Sequence, residues 1–377
     1  MGEEQTVLTE RQDEISPGAY RFVVSWAAGL LLLYAVGGFL GARLLRGYAA
    51  ETEVTRQTSI EALTADPNAP SPVSGIPSGA KPVDVQVGLS MNRIGEFALK
   101  ESAWTADFDL YFRWTGDAVK PGEDFRIING QIVQRERGRS YQSGEERYAE
   151  YHVVAQITRA FDTSRFPFSD HRLFVQVEDA THGLEALRYV PDKRNSGVSS
   201  EAIPRNVKLA RTMVGAMVRS RGLEQSNPGV PRSDREARSQ FFFVMFVVPD
   251  SLGIYMKMFQ ALFASVAVAL IALYIKVNSI DCRFGLPVGG FFASVSNNIY
   301  VATLLPHSDR ITLTDMINTV SLFTIFLVLV QSVISLYIFD NMGRVRLSLF
   351  FDKVSFAFFL LGYVAVNLAL PLAARPS

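Results

Sequence analysis

The sequence contains one cysteine, Cys282, among its 377 residues, so the chain cannot form an intramolecular disulfide. Its formal net charge is +0, so the chain lacks the basic excess that is typical of proteins that bind nucleic acid. It has no phosphate-binding glycine loop, no nucleophile elbow and no metal motif on a helix, and its four histidines are not spaced as metal ligands. We therefore expect no enzymatic site, no cofactor, no bound metal and no nucleic-acid partner.

Long apolar stretches dominate the part of the sequence that remains. One lies near the N-terminus at residues 22–42, and four follow at 250–277, 284–305, 316–339 and 351–372. At about 1.5 Å per helical residue, each can cross a hydrocarbon core of about 30 Å. The pattern predicts a multi-pass membrane protein that ends in an all-α bundle of four transmembrane helices.

The first apolar stretch resembles a retained transmembrane helix more than a signal peptide. A signal peptide has a basic leader and a shorter apolar core. This leader is acidic instead, with Glu3, Glu4, Glu10, Asp13 and Glu14. We therefore expect an additional N-terminal transmembrane helix at residues 22–48 after a tail at residues 1–21, with a cleaved signal peptide as the alternative.

Basic residues in the short loops predict the orientation. The loops after the second and fourth stretches carry Lys276, Arg283, Arg344, Arg346 and Lys353. Because basic residues favour the cytoplasm, we expect residues 306–312 and the large domain before the bundle to lie outside, with a cytoplasmic N-terminus. Arg43 and Arg46, just after the first span, oppose this orientation. An outer domain without disulfides favours a bacterial plasma membrane.

Between the first and second apolar stretches, the sequence predicts a linker and then a β domain. Residues 49–82 are rich in Pro, Ser, Ala and Thr and are expected to be flexible. Apolar and polar residues alternate at 83–92, 107–114 and 172–177, as in strands with one buried face. We expect an extracytoplasmic β-sandwich at residues 83–240 and the membrane domain at 241–377.

A small polar cluster follows one predicted strand. It consists of Glu178, Asp179 and His182. Carboxylate and imidazole groups are possible cation ligands, but such residues are also common in turns that face water. We interpret the cluster as a solvated turn and keep a cation site as the alternative.

Three local patterns follow one another along the chain. The first is Phe-Arg-Trp-Thr-Gly-Asp at residues 112–117, where a strand ends in a short polar turn. The second is the run Phe166, Pro167, Phe168, Ser169 and Asp170. The third consists of Arg238 and Pro249 before the bundle, Asp281, Cys282 and Arg283 at the start of its second stretch, Leu305 and Pro306 at the end of that stretch, and Leu313, Thr314 and Asp315 at the next.

In this order and spacing, the patterns resemble the pentameric ligand-gated ion channels, the Cys-loop receptor superfamily, over roughly residues 83–372. Ser169 takes the place of the Asp in the family's Phe-Pro-Phe-Asp loop, and Asp170 follows one residue late. The cysteines that flank this loop are absent, as is usual in prokaryotic members. The resemblance implies that six residues couple the outer domain to the membrane domain: Phe166, Pro167, Phe168, Asp170, Arg238 and Pro306.

The resemblance also makes residues 284–305 the pore helix. Residues three or four apart share one helix face. The face that matches the family's pore-lining positions carries Gly285, Gly289, Phe292, Ser296, Ile299 and Thr303. A ring of Phe292 could close the pore by dewetting, and a ring of Asp281 could favour cations while Arg283 faces away. Small residues of this kind can also serve helix packing alone.

The family binds its agonists between subunits in a box of aromatic side chains, one wall of which precedes the final strand. Residues 190–240 of this chain contain no Phe, Tyr or Trp, which disfavours an amine held by cation–π attraction. The candidate ligand contacts on other loops are Tyr141, Tyr148 and Tyr151, although such residues are more often core or surface residues. The ligand class stays open between a proton, a divalent cation and an acidic molecule.

Two functional hypotheses follow. The first is a subunit of a homopentameric, cation-permeable, ligand-gated channel, whose partners are its own copies, membrane lipid, an inorganic ion and a small ligand or proton. The second is a non-conducting membrane sensor or accessory protein built on the same fold. Oligomeric state separates them, because only a ring of copies can enclose a pore.

Overall fold

The computed structural model describes residues 16–64, 81–204, 207–221, 236–249, 251–306 and 308–375. The chain divides into two compact units. The helical unit comprises Met1–Glu51, Thr163–Ser169 and Ser251–Ser377, and the β unit comprises Thr52–Asp162 and Asp170–Asp250.

The β unit forms two sheets within its described residues. Its strands are β1 Val83–Ala98, β2 Ala103–Thr115, β3 Phe125–Ile127, β4 Gly130–Ser143, β5 Glu146–Thr158, β6 His171–Asp179, β7 Leu187–Pro191, β8 Gly197–Val198, β9 Val207–Arg221 and β10 Glu236–Pro249. The larger sheet has the order β4-β5-β2-β1-β7, with β8 also paired to β1, and the smaller has the order β3-β6-β10-β9. The larger sheet is mixed, because β7 and β8 run parallel to β1.

Alternating apolar residues build the core of the β unit. Phe108, Leu110 and Phe112 of β2 are fully buried, whereas the residues between them are partly exposed. One cluster of buried side chains takes members from both sheets, including Val175 of β6 and Phe241 of β10. Each such side chain contributes about 1.5–3 kcal/mol on burial. The strands predicted at residues 83–92, 107–114 and 172–177 are confirmed.

The helical unit contains five long helices among its described residues. They are α1 Pro17–Thr64, α2 Ser251–Ile271 with a 3-10 turn at Ala272–Tyr274, α3 Ile280–Leu304, α4 Leu313–Asp340 and α5 Val345–Ala374. The last turns of α1 fall in the β unit. Among the residues that the structure describes, four segments are long and apolar enough to cross a membrane: Pro17–Thr55, Ser251–Tyr274, Leu313–Asp340 and Val345–Ala374. They are compatible with a multi-pass membrane protein.

Helix α3 is not among these four segments, although a fifth span was predicted there. Its sequence explains the difference, because glycines, Pro287, Ser294, Ser296 and adjacent asparagines at 297 and 298 lower its hydropathy. A helix of this composition packs more favourably against other helices, or next to water, than against lipid on all sides.

Two predicted boundaries are wrong. Helix α1 continues to Thr64, through the first part of the predicted flexible linker, because residues 51–64 contain no Gly or Pro and several good helix formers. Residues 65–80 of that linker lie outside the described part of the chain. Residues 241–249, assigned above to the membrane domain, belong to β10.

The apolar run in β10 is long because both faces of that strand are buried. Phe241 and Phe243 belong to the main core, whereas Phe242, Val244 and Phe246 form a second cluster with Phe174, Met213 and Met217. A strand covered on both faces is apolar at consecutive positions and loses the alternation that identifies a strand.

Candidate functional site

Helix α3 has a buried stripe and an exposed stripe. The buried residues are Arg283, Pro287, Gly290, Ser294, Asn297 and Val301. The exposed stripe carries the six residues predicted to line a pore: Gly285, Gly289, Phe292, Ser296, Ile299 and Thr303. Both stripes follow the spacing four, three, four, three, four, so each occupies one face of the helix. Phe292 is 65% exposed and Ile299 is 62% exposed, so the single chain leaves these large apolar side chains uncovered.

Contacts with α2 and α4 determine which face of α3 is buried. A Cβ atom added at Gly290 would lie 2.8 Å from the carbonyl oxygen of Ser265, so only glycine allows the approach of α2. Asn297 donates from Nδ2 to Oδ1 of Asn318 on α4 at 3.3 Å. Asn298 is exposed. Of the two adjacent asparagines, Asn297 is therefore the one that bonds across helices.

Arg283 is fully buried at the start of α3. Its Nη2 donates to Oδ1 of Asp352 on α5 at 2.7 Å, and its Nη1 donates to the carbonyl oxygen of Ile275 at 3.2 Å. Gln331 of α4 donates to the same Asp352 oxygen at 3.1 Å. The positive charge of Arg283 therefore lies inside the bundle beside a carboxylate, whereas the carboxylate of Asp281 is exposed.

The predicted coupling residues Phe166, Pro167 and Phe168 lie in the segment Thr163–Ser169, which belongs to the helical unit. The Phe166–Pro167 peptide bond is cis. Phe168 is buried and packs against Tyr255 of α2, with ring centroids 5.9 Å apart. Ser169 is buried, and its hydroxyl has no hydrogen-bond partner among the residues that the structure describes.

Two further residues of this segment join it to the ends of α4 and α5. The carbonyl oxygen of Ser164 accepts a hydrogen bond from the backbone N–H of Leu313, the first residue of α4, at 2.9 Å. Buried Arg165 donates from Nη1 to the carbonyl oxygen of Ala374, the last residue of α5, at 3.1 Å. The sequence did not single out either residue, because neither belongs to the aromatic pattern of the loop.

The other three predicted coupling residues are not part of this segment. Asp170 belongs to the β unit, and Pro306 directly follows Leu305, the C-cap residue of α3. Arg238 lies near the start of β10, where it donates from Nη1 to the carbonyl oxygen of Asp179 at 2.7 Å. The strand then continues to Pro249, roughly 36 Å farther on. Arg238 therefore does not end the last strand, because the residues that follow it are strand.

The polar cluster at the end of β6 is not a solvated turn. Glu178 and Asp179 are each 1% exposed. Glu178 accepts hydrogen bonds from Arg126 and Gln240 on the neighbouring strands. Asp179 Oδ1 accepts from the backbone N–H of His182 at 2.7 Å. These contacts give both buried carboxylates hydrogen-bond partners at the end of β6. Within the described ranges, no group of three or more His, Cys, Asp or Glu side chains could hold a metal ion.

The predicted ligand tyrosines separate into two environments. Tyr141 of β4 and Tyr148 of β5 stack with centroids 4.8 Å apart, and Tyr111 of β2 stacks on Tyr148 at 5.7 Å. Tyr151 is 3% exposed and lies in the core, so it cannot contribute to the same surface. The sequence missed Tyr111, although its alternation with buried Leu110 and Phe112 indicates the same open sheet face.

Carboxylates lie beside this tyrosine row, which consists of Tyr111, Tyr141 and Tyr148. The Tyr111 hydroxyl donates to Oδ2 of Asp192 at 2.8 Å, and the Tyr148 hydroxyl donates to Oε2 of Glu150 at 3.4 Å. Burial, followed by the contact with Asp192, raises the pKa of Tyr111 well above its usual value, so its hydroxyl stays protonated. Aromatic faces next to carboxylates could bind a cationic group.

His152 lies on the same open face of β5. Its Nδ1 is 2.9 Å from Oδ1 of Asp109, and its Nε2 is 3.7 Å from Oδ1 of Asp107. The hydrogen bond with Asp109 raises the pKa of His152 above its usual value, although burial acts in the opposite direction. The pair therefore favours the charged imidazolium.

The stability of the β unit should depend on pH through His152. A raised pKa stabilises the fold fully below the unfolded value of about 6.5, and this stabilisation is lost as pH rises through the folded value. We expect His152→Gln to lower the free energy of unfolding by up to about 1 kcal/mol at pH 6, because the pair is partly exposed, and by less at pH 9. Thermal unfolding followed by tryptophan fluorescence measures the difference; an equal effect at both pH values would contradict this assignment.

No protein-family model and no curated protein sequence matches this chain.

Proposed function

We propose that this chain is the subunit of a pentameric ligand-gated ion channel in a bacterial plasma membrane. The two sheets form a β-sandwich on the outer side, the N-terminus is cytoplasmic, and α3 lines a cation-permeable pore. A small ligand or a proton acts on the β unit. Copies of the chain, membrane lipid and the conducted ion are its partners.

The exposed stripe of α3 is the observation that carries this proposal. It combines glycines with Ser296 and Thr303 on a helix that falls short of the hydropathy of its neighbours. In hydrocarbon, exposed polar groups are costly, so polar helix faces turn toward protein or water. The Ser296 and Thr303 hydroxyls donate to the carbonyl oxygens of Phe292 and Tyr300 at 2.9 and 2.7 Å, which reduces this cost without removing it. A ring of five copies would turn this stripe toward a shared water-filled axis and would bring five Phe292 side chains together.

The charge at the start of α3 supports cation permeation. Asp352 neutralises Arg283 inside the bundle, so Asp281 is the exposed charge among residues 281–283. Five Asp281 carboxylates around one axis would attract cations and repel anions.

The contacts of the segment Thr163–Ser169 support coupling between the β unit and the pore. Both ends of the segment continue into strands of the β unit, while its residues contact α2, α4 and α5. A movement of β5 or β6 could therefore reach the turn between α3 and α4 through the chain itself.

Two measurements on purified full-length protein test the proposal. Two-dimensional class averages should show a five-fold ring, and the reconstituted protein should carry a cation current when pH, divalent cations or voltage are varied. A monomer or dimer would contradict the channel assembly. A five-fold ring without current under any of these conditions would favour the non-conducting sensor instead.

Charge reversal at Asp281 should change ion selectivity. For a tenfold salt gradient, a purely cation-selective pore reverses at about 59 mV. We expect Asp281→Lys to remove more than half of the wild-type reversal potential, because five carboxylates at the mouth become five ammonium groups, and Asp281→Asn to give an intermediate value. Asp340→Asn is the matched control, since this exposed carboxylate ends α4 rather than α3. An unchanged reversal potential in Asp281→Lys would exclude Asp281 as the selectivity residue.

A further inference from the structure

Helix α1, which the family resemblance does not include, is packed into the bundle along one narrow stripe. Among residues 17–55, its buried residues are Ala19, Val23, Ala27, Leu30, Tyr34, Gly38, Gly41 and Leu45. Their spacing of four, four, three, four, four, three and four is an 11-residue repeat of about 3.67 residues per turn, which keeps one face of a nearly straight helix in contact along its length. At one end of this stripe, Ala19 and Val23 share a cluster with Ile338 of α4 and Phe351 of α5.

The buried stripe of α1 keeps one register against α5. Three contact pairs follow it: Tyr34 with Gly362, Gly38 with Val366, and Gly41 with Leu370. The near-constant difference in residue number means that α1 and α5 run in the same direction. A Cβ atom added at Gly362 would lie 2.3 Å from the ring of Tyr34, so small residues allow the close approach. The Tyr34 hydroxyl lies 2.7 Å from Oγ1 of Thr324 on α4, which fixes the helix on that side.

The same face of α1 ends on the turn that joins α3 to α4. Two turns beyond Gly41, Tyr48 and Glu51 meet Arg310. The guanidinium donates to both Glu51 carboxylate oxygens, from Nη1 at 2.7 Å and from Nη2 at 2.9 Å. Its carbon atom lies 5.5 Å from the centroid of the Tyr48 ring. A two-point ion pair combined with a cation–π contact holds Arg310 in one orientation.

The turn is held firmly just after Arg310. Thr312 and Asp315 form a capping box at the start of α4, in which the Thr312 hydroxyl accepts from the Asp315 N–H at 3.2 Å and the Asp315 carboxylate accepts from the Thr312 N–H at 2.9 Å. Arg310 therefore lies between the end of α3 and a fixed helix start. A force applied to its side chain therefore acts on the short segment between the end of α3 and the start of α4.

We propose that α1 is a fifth helix built into each subunit and that its Tyr48–Glu51 end holds Arg310, setting how readily the turn moves when the pore opens. This inference rests on the proposed channel function. An exposed ion pair contributes little to global stability. A conformational equilibrium is more responsive, because a contact made in one state and lost in the other shifts the populations directly.

Charge variants test the contact in the full-length channel. Activation is measured as current against the concentration of protons or of a divalent cation, whichever opens the wild-type channel. We expect Glu51→Gln and Arg310→Gln each to shift the concentration that gives half-maximal current at least threefold, in the same direction. The double variant should shift it no further than one single variant, and the swapped pair Glu51→Arg with Arg310→Glu should restore part of the shift. Asp309→Asn, an exposed neighbour in the same turn, is the matched control. Additive single effects, or an unchanged half-maximal concentration in a conducting protein, would overturn the proposal.

A second readout does not require conduction. Cys282 is the single cysteine, so Cys282→Ser gives a background in which Ile311→Cys, at a position that is 58% exposed, can carry a fluorophore. Glu51→Gln should lower the anisotropy of this label, because the turn loses its hold on α1, whereas Asp309→Asn should leave it unchanged. Unchanged anisotropy in Glu51→Gln would overturn the contact. Absence of current in the wild-type protein together with a lowered anisotropy would contradict the channel function alone.

Discussion

Replacing Arg283 by Ala is expected to destabilise the protein by about 3–5 kcal/mol, because it leaves the carboxylate of Asp352 buried without its cation. Arg283 is fully buried, and Asp352 is 2% exposed, so water cannot replace the lost partner without opening the bundle. Thermal denaturation followed by size-exclusion chromatography measures the effect. The midpoint should fall by roughly 10 °C.

A paired replacement separates the loss of an ion pair from the presence of an unpaired charge. In Arg283→Met with Asp352→Asn, no buried charge remains, and the amide oxygen at 352 can still accept the hydrogen bond from Gln331. Replacing both partners of a buried pair with neutral groups of similar volume is often neutral, so most of the lost stability should return. Arg344→Ala removes an exposed arginine at the start of α5 and should change the midpoint little. A wild-type midpoint for Arg283→Ala would show that the pair is not buried.

The same pair explains why one particular face of α3 is exposed. Arg283 joins α3 to α5 through Asp352, and Asn297 joins α3 to α4 nearly four turns farther on. Two attachments on one face of a helix fix its rotation about its own axis. The opposite face, with Phe292 and Ile299, is therefore determined by contacts inside the bundle.

The sequence predicts those parts of the fold that depend on local periodicity. Strands β1, β2 and β6 alternate visibly, because one face of each lies in the core while the other is more open. The helical repeat also places the six residues of the exposed α3 stripe on one face, but it was the family resemblance that selected this face. Periodicity did not identify β10 as a strand, because both of its faces are buried and such a strand cannot be distinguished from a membrane helix by its sequence pattern.

Strand geometry could have corrected one of the predicted sites before the structure. Successive residues of a strand point to opposite faces. Tyr148 and Tyr151 are three residues apart on β5, so they cannot share a face, and only one of them could join Tyr141. The stacked pair Tyr141 and Tyr148 meets this requirement, whereas Tyr151 lies in the core.

Contacts between distant parts of the chain could not be predicted in this way. Glu51 and Arg310 are separated by 259 positions, and nothing in either local sequence indicates the other. The burial of Glu178 has the same origin, because Arg126 and Gln240 reach it from other strands of the sheet. Acidic residues at the end of a strand usually face water, and only the assembled sheet shows that these two are covered.

Replacing Phe292 by Ser is expected to raise the current that flows without any stimulus by at least about tenfold. In the proposed pentamer, five Phe292 side chains form an apolar ring that excludes water from the closed pore. Removing a large apolar side chain from such a contact destabilises the closed pore by about 1.5–3 kcal/mol per copy. A tenfold change in the open population needs only about 1.4 kcal/mol in total. The free energy lost with the five phenyl groups therefore exceeds the free energy that a tenfold change requires.

Single-channel recording together with surface expression measures this effect per channel. Phe291→Ser is the matched control, because it removes the same side chain from the neighbouring, half-buried position, which a helix turns by about 100° from Phe292. Its unstimulated current should stay near the wild-type value. If Phe292→Ser stays closed while Ile299→Ser conducts without stimulus, the gate lies at Ile299, two turns farther along the same exposed stripe. If neither variant raises the unstimulated current, the exposed stripe of α3 does not close a pore.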